Sequence, residues 1–352
     1  STDKGYTWEK ISDDLTTNNK KKQALPGGQL AVETSGAEIF GLIVRMAVST
    51  HNEGTIWTGS DDGLIYLTKD EGANWENVTP AEAGKQMMWN CIETDPFKKG
   101  TAYFVGTKYK MDDYAPYIFK TEDYGKTWKK ITTGINPMHF TRALRADHKR
   151  PGLLYAGTEF GMYISFDDGA NWKPFQLNLP IVPITDLTIK YNNLIAATQG
   201  RSFWIIDDLT PLHQLNENLI SKESFLYKPM DSYRMSGSKR TSKTAGQNHP
   251  GGVIVNYYVK NISEKYQEAS IYVMSSRYEG FGMVLIEAMA CGVPCIAFDC
   301  PSGPKDIITN NKDGYLIKNL DMETYTNNLK MLMMVVMMIS FVSAVDDSNI
   351  CF

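Results

Sequence analysis

In the stretch RYEGFGMVLIEAMACGVPCIAFDC, residues 277–300, two carboxylates stand eight positions apart, Glu279 ahead of a glycine loop and Glu287 beyond it. The loop residues Gly280, Phe281 and Gly282 run into an apolar segment from Met283 that reads as a helix. That order suits anion binding, because glycine lets a backbone approach phosphate closely and a helix start offers unpaired N–H groups with a partial positive charge. Eight residues is about 2.2 helical turns, so a carboxylate at the mouth of the loop and a second one inside the helix can face one ligand. Glu287 would equally serve as an ordinary solvent-facing helix residue.

The elements around this loop are those of an α/β layer. SEKYQEAS reads as a short helix, IYVMSS as a buried strand, VPCIAFD as another, and GPKDIITNNKDGYLI as a turn, a helix start and a short strand. Strands alternating with helices imply a parallel sheet, and the change of period marks a boundary near residue 262. Cys291, Cys295 and Cys300 crowd into the same stretch, yet no histidine accompanies them. Two fall at a helix end or inside an apolar strand, where free cysteine packs as a small hydrophobe, so no metal is expected. A disulfide framework is not expected in a chain of 352 residues either.

Upstream the pattern is different. Four octads, STDKGYTW, TKDEGANW, TEDYGKTW and SFDDGANW, fit [ST]-x-D-x-G-x-x-W. In each, the aspartate (Asp3, Asp70, Asp123, Asp167) can accept backbone N–H bonds across a tight turn, and the glycine (Gly5, Gly72, Gly125, Gly169) can take positive φ. The tryptophan (Trp8, Trp75, Trp128, Trp172) is expected to plug the hairpin into the core. Short strands of alternating aromatic and β-branched residues flank three of the octads, giving four strands per unit at spacings of 67, 53 and 44 residues. Such spacings approach the repeat of a β-propeller blade. Complete blades are expected at about 38–80, 81–134 and 135–180, with residues 1–15 supplying one last strand and 183–208 three more.

The octads are Asp-box repeats, and residues 1–261 resemble bacterial BNR-repeat, sortilin-like propeller proteins that are often labelled glycosyl hydrolases; LIAATQGRSFWIIDDLTPLHQL and GGVIVNYYVKN share that resemblance. Residues 262–330 resemble the carboxyl-terminal lobe of group 1 retaining glycosyltransferases, on the E-x7-E spacing, the glycine loop, SGPKDII and DGYLI. That resemblance implies a nucleotide-sugar donor, a UDP-, GDP- or ADP-sugar. It places Glu279 against the donor sugar, Glu287 against the ribose hydroxyls, and the N–H groups of Gly280 to Met283 against the diphosphate. The upstream half of the cleft, with its Arg/Lys pair, has no counterpart in residues 1–261.

The expected fold is therefore mainly β, a partial propeller over 1–235, with a linker and propeller-family end over 236–261, a small Rossmann-like α/β fragment over 262–330 and an apolar tail over 331–352. Sialidases also carry Asp boxes but need an arginine cluster and a tyrosine nucleophile, and Arg45, Arg142, Arg145, Arg150 and Arg201 fall in no such signature. Acid pairs at Asp61/Asp62, Asp112/Asp113, Asp167/Asp168 and Asp207/Asp208 raise a glycoside-hydrolase reading, although turn capping suits them better. Tyr109, Tyr114, Tyr117 and Trp204 would suit sugar stacking for a glycan or peptide ligand at the propeller, and would equally serve as strand core.

A formal net charge of -4 argues against nucleic acid as a partner. The run KMLMMVVMMISFVSAVDD is short for a bilayer span and reads either as a misplaced signal-like core or as a terminal helix. The chain opens inside a motif, which predicts a missing beginning. Relatives of the first part are exported and those of the second act on the cytoplasmic side, which leaves the compartment open. The reading is a composite chain whose donor lobe is incomplete and inactive. A working sugar transferase with the propeller as acceptor module, and an exported hydrolase, stand as alternatives.

Overall fold

The computed structural model describes residues 1, 3–24, 40–232, 253–276, 282–300 and 303–346. Glu279, Gly280, Phe281, the stretch 236–252 and the last six residues lie outside them. The chain divides into two compact units, one of Ser1–Leu215 with Lys228–Ile254, the other of Asn216–Tyr227 with Val255–Phe352.

The first unit holds three four-stranded antiparallel meanders. β1 (Ile43–Val48), β2 (Ile56–Ser60), β3 (Ile65–Thr68) and β4 (Glu76–Asn77) make the first sheet. β5 (Met88–Thr94), β6 (Ala102–Lys108), β7 (Asp113–Thr121) and β8 (Lys129–Lys130) make the second. β9 (Thr141–Ala146), β10 (Leu154–Thr158), β11 (Gly161–Ser165) and β12 (Lys173–Pro174) make the third. A fourth sheet has three strands, β13 (Ile184–Lys190), β14 (Asn193–Thr198) and β15 (Phe203–Ile206).

Period-two alternation gives the inner strands two apolar faces, so consecutive sheets stack as propeller blades do. Trp57 and Leu67 of the first sheet pack with Trp89, Phe104 and Phe119 of the second. The opposite face of the second sheet presents Tyr103, Val105 and Ile118 to Leu144 and Leu154 of the third. Tyr155 and Ile164 then meet Leu187 and Leu194 of the fourth. Edge-on ring pairs such as Trp57–Phe104, with centroids 5.6 Å apart, fill the first seam.

Each Asp box closes its turn with the same bonds. In the second box, Asp70 Oδ1 accepts from Asn74 N at 2.9 Å and Oδ2 accepts from Asn74 Nδ2 at 2.7 Å, while Thr68 Oγ1 accepts from Gly72 N at 2.9 Å. Asp3, Asp123 and Asp167 repeat the arrangement with Thr7, Thr127 and Asn171. The residue between aspartate and glycine is left-handed in all four, at Lys4, Glu71, Tyr124 and Asp168.

What the sequence does not show is where the indole goes. Trp75 Nε1 donates to Ile11 O at 2.9 Å, Trp128 to Val78 O at 2.8 Å and Trp172 to Ile131 O at 2.8 Å. Each acceptor lies three residues beyond the previous box's tryptophan, so each bond ties a box to the segment just after its predecessor, past β4 for Val78 and past β8 for Ile131. The box glycine touches the same residue: a Cβ on Gly125 would lie 2.6 Å from Val78 Cβ, and one on Gly169 2.4 Å from Ile131 Cδ1. The expectation that all four tryptophans enter the core needs correcting. Trp172 is buried, Trp75 and Trp128 are half-buried, and Trp8 is exposed and donates to Gly5 O of its own turn. The described residues of 1–15, expected to supply one last strand, form a box turn but no strand.

In the second unit, β16 (Ser224–Leu226) pairs with β17 (Tyr257–Val259). A parallel sheet follows, in the order β18 (Tyr272–Met274), β19 (Cys295–Asp299), β20 (Gly314–Lys318). One face of it packs on α1 (Ile262–Glu268) and α2 (Met283–Ala290) through Tyr266, Met274, Leu285 and Ala288. The other takes α3 (Met322–Asp346), whose Tyr325, Leu329 and Leu332 fall at helical spacing on one side. Residues 331–346 of the apolar tail thus continue a sheet-packed helix, and no helix among the described residues is long and apolar enough to cross a membrane.

Trp172→Phe leaves the buried carbonyl of Ile131 without its donor and should cost about 1–3 kcal/mol, and Trp172→Ala, which also opens a cavity, about 3–5 kcal/mol. Urea unfolding followed by tryptophan fluorescence measures both, and equal stabilities for the two variants and the parent would refute the inter-sheet role.

Candidate functional site

The first two parallel strands lead from their carboxyl ends toward the helices that follow them. β18 ends at Met274 and leads toward α2, where Gly282 stands before the first turn at φ 76°, a value that favours glycine. Space is not the reason for the glycine, since a Cβ there would meet Ile307 Cδ1 and Leu285 Cδ1 at an ordinary 3.5 Å. β19 ends at Asp299 and leads to Gly303 and the one-turn helix Pro304–Ile307, so that Ile307 flanks the start of α2. In open α/β sheets ligands sit outside such strand ends.

Met283, the first residue of α2, is exposed, and so is Glu287 one turn further along. The Glu287 carboxylate accepts a hydrogen bond at 3.2 Å from the hydroxyl of Tyr266 on α1. Burial, with the neighbouring Tyr272 and Glu287, pushes the Tyr266 hydroxyl well above the usual phenol range, so it stays a donor and fixes one Glu287 oxygen. Of the residues singled out in the glycine loop, Gly282, Met283 and Glu287 therefore share one helix start, while Glu279, Gly280 and Phe281 are outside the described residues.

Many carboxylates of the first unit already hold hydrogen bonds. Hydrogen bonds from Thr7 hold Asp3 down to about 2, and those from Asn74 hold Asp70 down to about 2. Asp61 accepts from Gly41 N and Leu42 N, and Asp62 from Ser60 Oγ and from Thr17 N and Oγ1. Asp113 accepts from Tyr117, and Asp208 from Asn192 and Thr210 N. Asp168 is clamped between Lys98 at 3.0 Å, Lys120 at 2.9 Å and the hydroxyl of Tyr103, which ties the third sheet to the second.

One cluster escaped sequence reading. Arg145 on β9 donates from Nη1 to Glu93 Oε2 on β5 at 3.2 Å and from Nη2 to Asp186 Oδ1 on β13 at 3.1 Å, with Cys91 Sγ also 3.2 Å from Nη1. Ala146 N donates to the other Glu93 oxygen at 3.1 Å. Three successive sheets thus meet at one guanidinium through their first strands. The available signal was phase: Cys91 and Glu93 alternate onto the same face as core residues, an unusual place for a carboxyl. Burial pushes Glu93 up, to about 7, against the pull of Arg145 and the Ala146 N–H.

Comparison with known proteins divides the chain in the same two directions. The model of the family "Glycosyl transferases group 1" matches residues 238–334, and that of "Sortilin, neurotensin receptor 3" matches residues 63–179. The amylovoran biosynthesis glycosyltransferase AmsD of Erwinia amylovora is 47% identical over 73 residues, 21% of this chain and 20% of that protein. The lipopolysaccharide 1,6-galactosyltransferase of Escherichia coli K12 is 37% identical over 68 residues, 19% of each. The chain spans about a fifth of the length of these curated relatives. Among solved structures, YCF48 bound to D1 peptide aligns with TM-score 0.37 at 20% identity, covering 47% of this chain and 49% of that one. The GH74 xyloglucanase from Xanthomonas campestris aligns with TM-score 0.39 at 16% identity, covering 48% and 29%. The chain is thus composite in its similarities, one part similar to the sortilin family and the other to group 1 glycosyl transferases.

A carboxyl raised on folding adds stability in its protonated form. Glu93 should contribute fully below about 4.5, its ordinary value, and lose that contribution as pH climbs through about 7. Urea unfolding across this window should show stability falling with pH in the parent and a shallower fall in Glu93→Gln; parallel profiles for the two would exclude the assignment.

Proposed function

We infer that the second unit is a donor half-site for a nucleotide sugar, carried beside a propeller-type recognition part, and that it binds the donor without completing transfer. The observation that carries this reading is the start of α2: Gly282 left-handed, Met283 exposed, and Glu287 on the same helix with one oxygen oriented by Tyr266. A diphosphate would lie against the N–H groups of Gly280 to Met283, with Glu287 toward the ribose hydroxyls and Glu279 toward the sugar. The parallel sheet has three strands among the described residues, fewer than a doubly wound nucleotide fold uses, which supports binding in place of turnover. The boundary between the two parts is placed near residue 262, where the period changes.

For the propeller part, a glycan or peptide ligand is supported by the aromatic loop after β6. Tyr109 stacks on Phe140 with centroids 5.4 Å apart, Tyr114 leans on the same ring, and Lys108 and Lys130 lie over Tyr117. Flat aromatic faces beside cations suit both sugars and peptide side chains.

Calorimetric titration of the full chain with a UDP-, a GDP- and an ADP-sugar tests the donor assignment. One of them should bind saturably, and Glu287→Ala, checked for an unchanged melting temperature, should weaken it about tenfold or more, the loss of a charged hydrogen-bonding partner. Heat-silent titrations with all three would retire the reading, and release of transferred sugar would replace it with a complete transferase.

A further inference from the structure

The second sheet carries a longer central hairpin than its neighbours. β6 and β7 run 7 and 9 residues, against 5 and 4 for β2 and β3, 5 and 5 for β10 and β11, and 6 and 4 for β14 and β15. The added length ends in a single 3₁₀ turn, Tyr109–Met111, which Asp112 closes in the left-handed conformation at φ 61°. None of Tyr109–Met111 enters the buried clusters that join the sheets, so this overhang adds nothing to those seams.

Beside the overhang lies a cavity of about 320 Å³, inside the range of about 300–1,000 Å³ that ligand pockets occupy. Its charge is one-sided, with Lys22, Lys108 and Lys110 in the lining against one carboxylate, Asp61. Lys22 Nζ stands 4.9 Å from the centre of the Phe40 ring and Lys108 Nζ 5.2 Å from that of Tyr117, contacts that hold an ammonium without neutralising it. Among the described residues none of the three lysines is paired with a carboxylate. Asp113, the register partner of Lys108, already accepts from the Tyr117 hydroxyl and from Ala115 N.

The remaining lining suits a ring that bears hydroxyls. Tyr109 borders the cavity and is held by its stacking on Phe140, with centroids 5.4 Å apart. Both bonds to the Asp61 carboxylate, from Gly41 N and Leu42 N, end on Oδ1, which leaves Oδ2 for a hydroxyl donor. Gln86 brings an amide to the same lining from a left-handed backbone at φ 64°, a conformation that costs a non-glycine residue and that clusters at binding sites. The cations are lysines throughout, point charges that suit a carboxylate, and the lining has no arginine fork of the kind that grips phosphate.

We propose that this pocket binds a uronic acid residue of an acidic polysaccharide, its carboxylate between Lys108 and Lys110, its ring against Tyr109 and a hydroxyl on Asp61. This rests on the reading of the propeller part as one that takes a glycan or peptide ligand, and it narrows that ligand to a sugar with a negative charge. An acidic peptide would satisfy the lysines but would leave the hydroxyl acceptor at Asp61 without a use.

Calorimetric titration of the full chain with trimers of galacturonate, mannuronate and glucuronate, and with the methyl esters of the same trimers, tests the assignment. One acid trimer should bind saturably, and its ester, which keeps the ring and loses the charge, at least about tenfold more weakly. The double variant Lys108→Gln, Lys110→Gln should bring the acid down to the affinity of the ester and leave the ester unchanged. Tyr109→Ala should weaken both by removing the shared ring contact; an unchanged melting temperature is required of each variant. Acid and ester binding alike, or a lysine double variant that binds the acid as the parent does, would overturn the proposal and leave a neutral glycan as the ligand. Tighter binding of a tetraglutamate peptide would overturn it in favour of a peptide ligand, and silence from acids, esters and peptide would overturn it together with the reading it rests on.

Discussion

The indole N–H that reaches from one box to the segment just after its predecessor couples each box-bearing sheet to what precedes it. It is a single hydrogen bond, yet it works only if three other conditions hold. The turn must be closed by the box aspartate, the next residue must be left-handed, and the glycine must have no Cβ where Val78 or Ile131 fits. The motif therefore specifies a joint between neighbours more than a hairpin. Stability in such a stack is a sum of sheet and seam contributions, and each seam depends on the residue three positions past the previous tryptophan.

The second unit is ordered by other means. Its three parallel strands are covered on one face by α1 and α2 and on the other by α3, and no strand pairs with a sequence neighbour through a tight turn. Parallel pairing needs a crossover, so helix and strand lengths are coupled there, whereas a meander of hairpins can gain or lose a blade without disturbing the rest. Two building rules on one chain account for the two separate family matches better than one distorted domain would.

How much of this was legible follows from the range of each interaction. The box turns were readable because every bond spans four residues or fewer, as in Asn74 N to Asp70. The fate of the tryptophans was not, because Trp8 and Trp172 share one motif yet are 82% and 3% exposed, a difference set by the packed neighbour and not by the octad. The aliphatic residue in WEKI, WENV and WKKI repeats visibly, but its role needs the stacked neighbour to be seen. The pairing of β16 with β17 joins segments on either side of a long intervening stretch, and neither strand exceeds three residues, too little pattern for period-two reading. At the glycine loop the E-x7-E spacing was evident, while Tyr266 as the partner of Glu287 was hidden in a separate helix.

The same commitment of side chains to cohesion bears on hydrolysis. A two-carboxylate mechanism needs one group that keeps a proton near neutrality and another left free to attack or to activate water. Asp3 and Asp70, held near 2 by their turns, cannot be the acid. Asp168 carries two lysines and a phenol, which oppose the effect of its burial and keep it ionised and occupied. Glu93 has the elevated affinity for a proton that a general acid requires, but both its oxygens already accept bonds, from Arg145 and from Ala146 N, inside a seam between sheets. A carboxyl so placed is tied to the packing of neighbouring sheets, with neither oxygen left free for a sugar in a cleft.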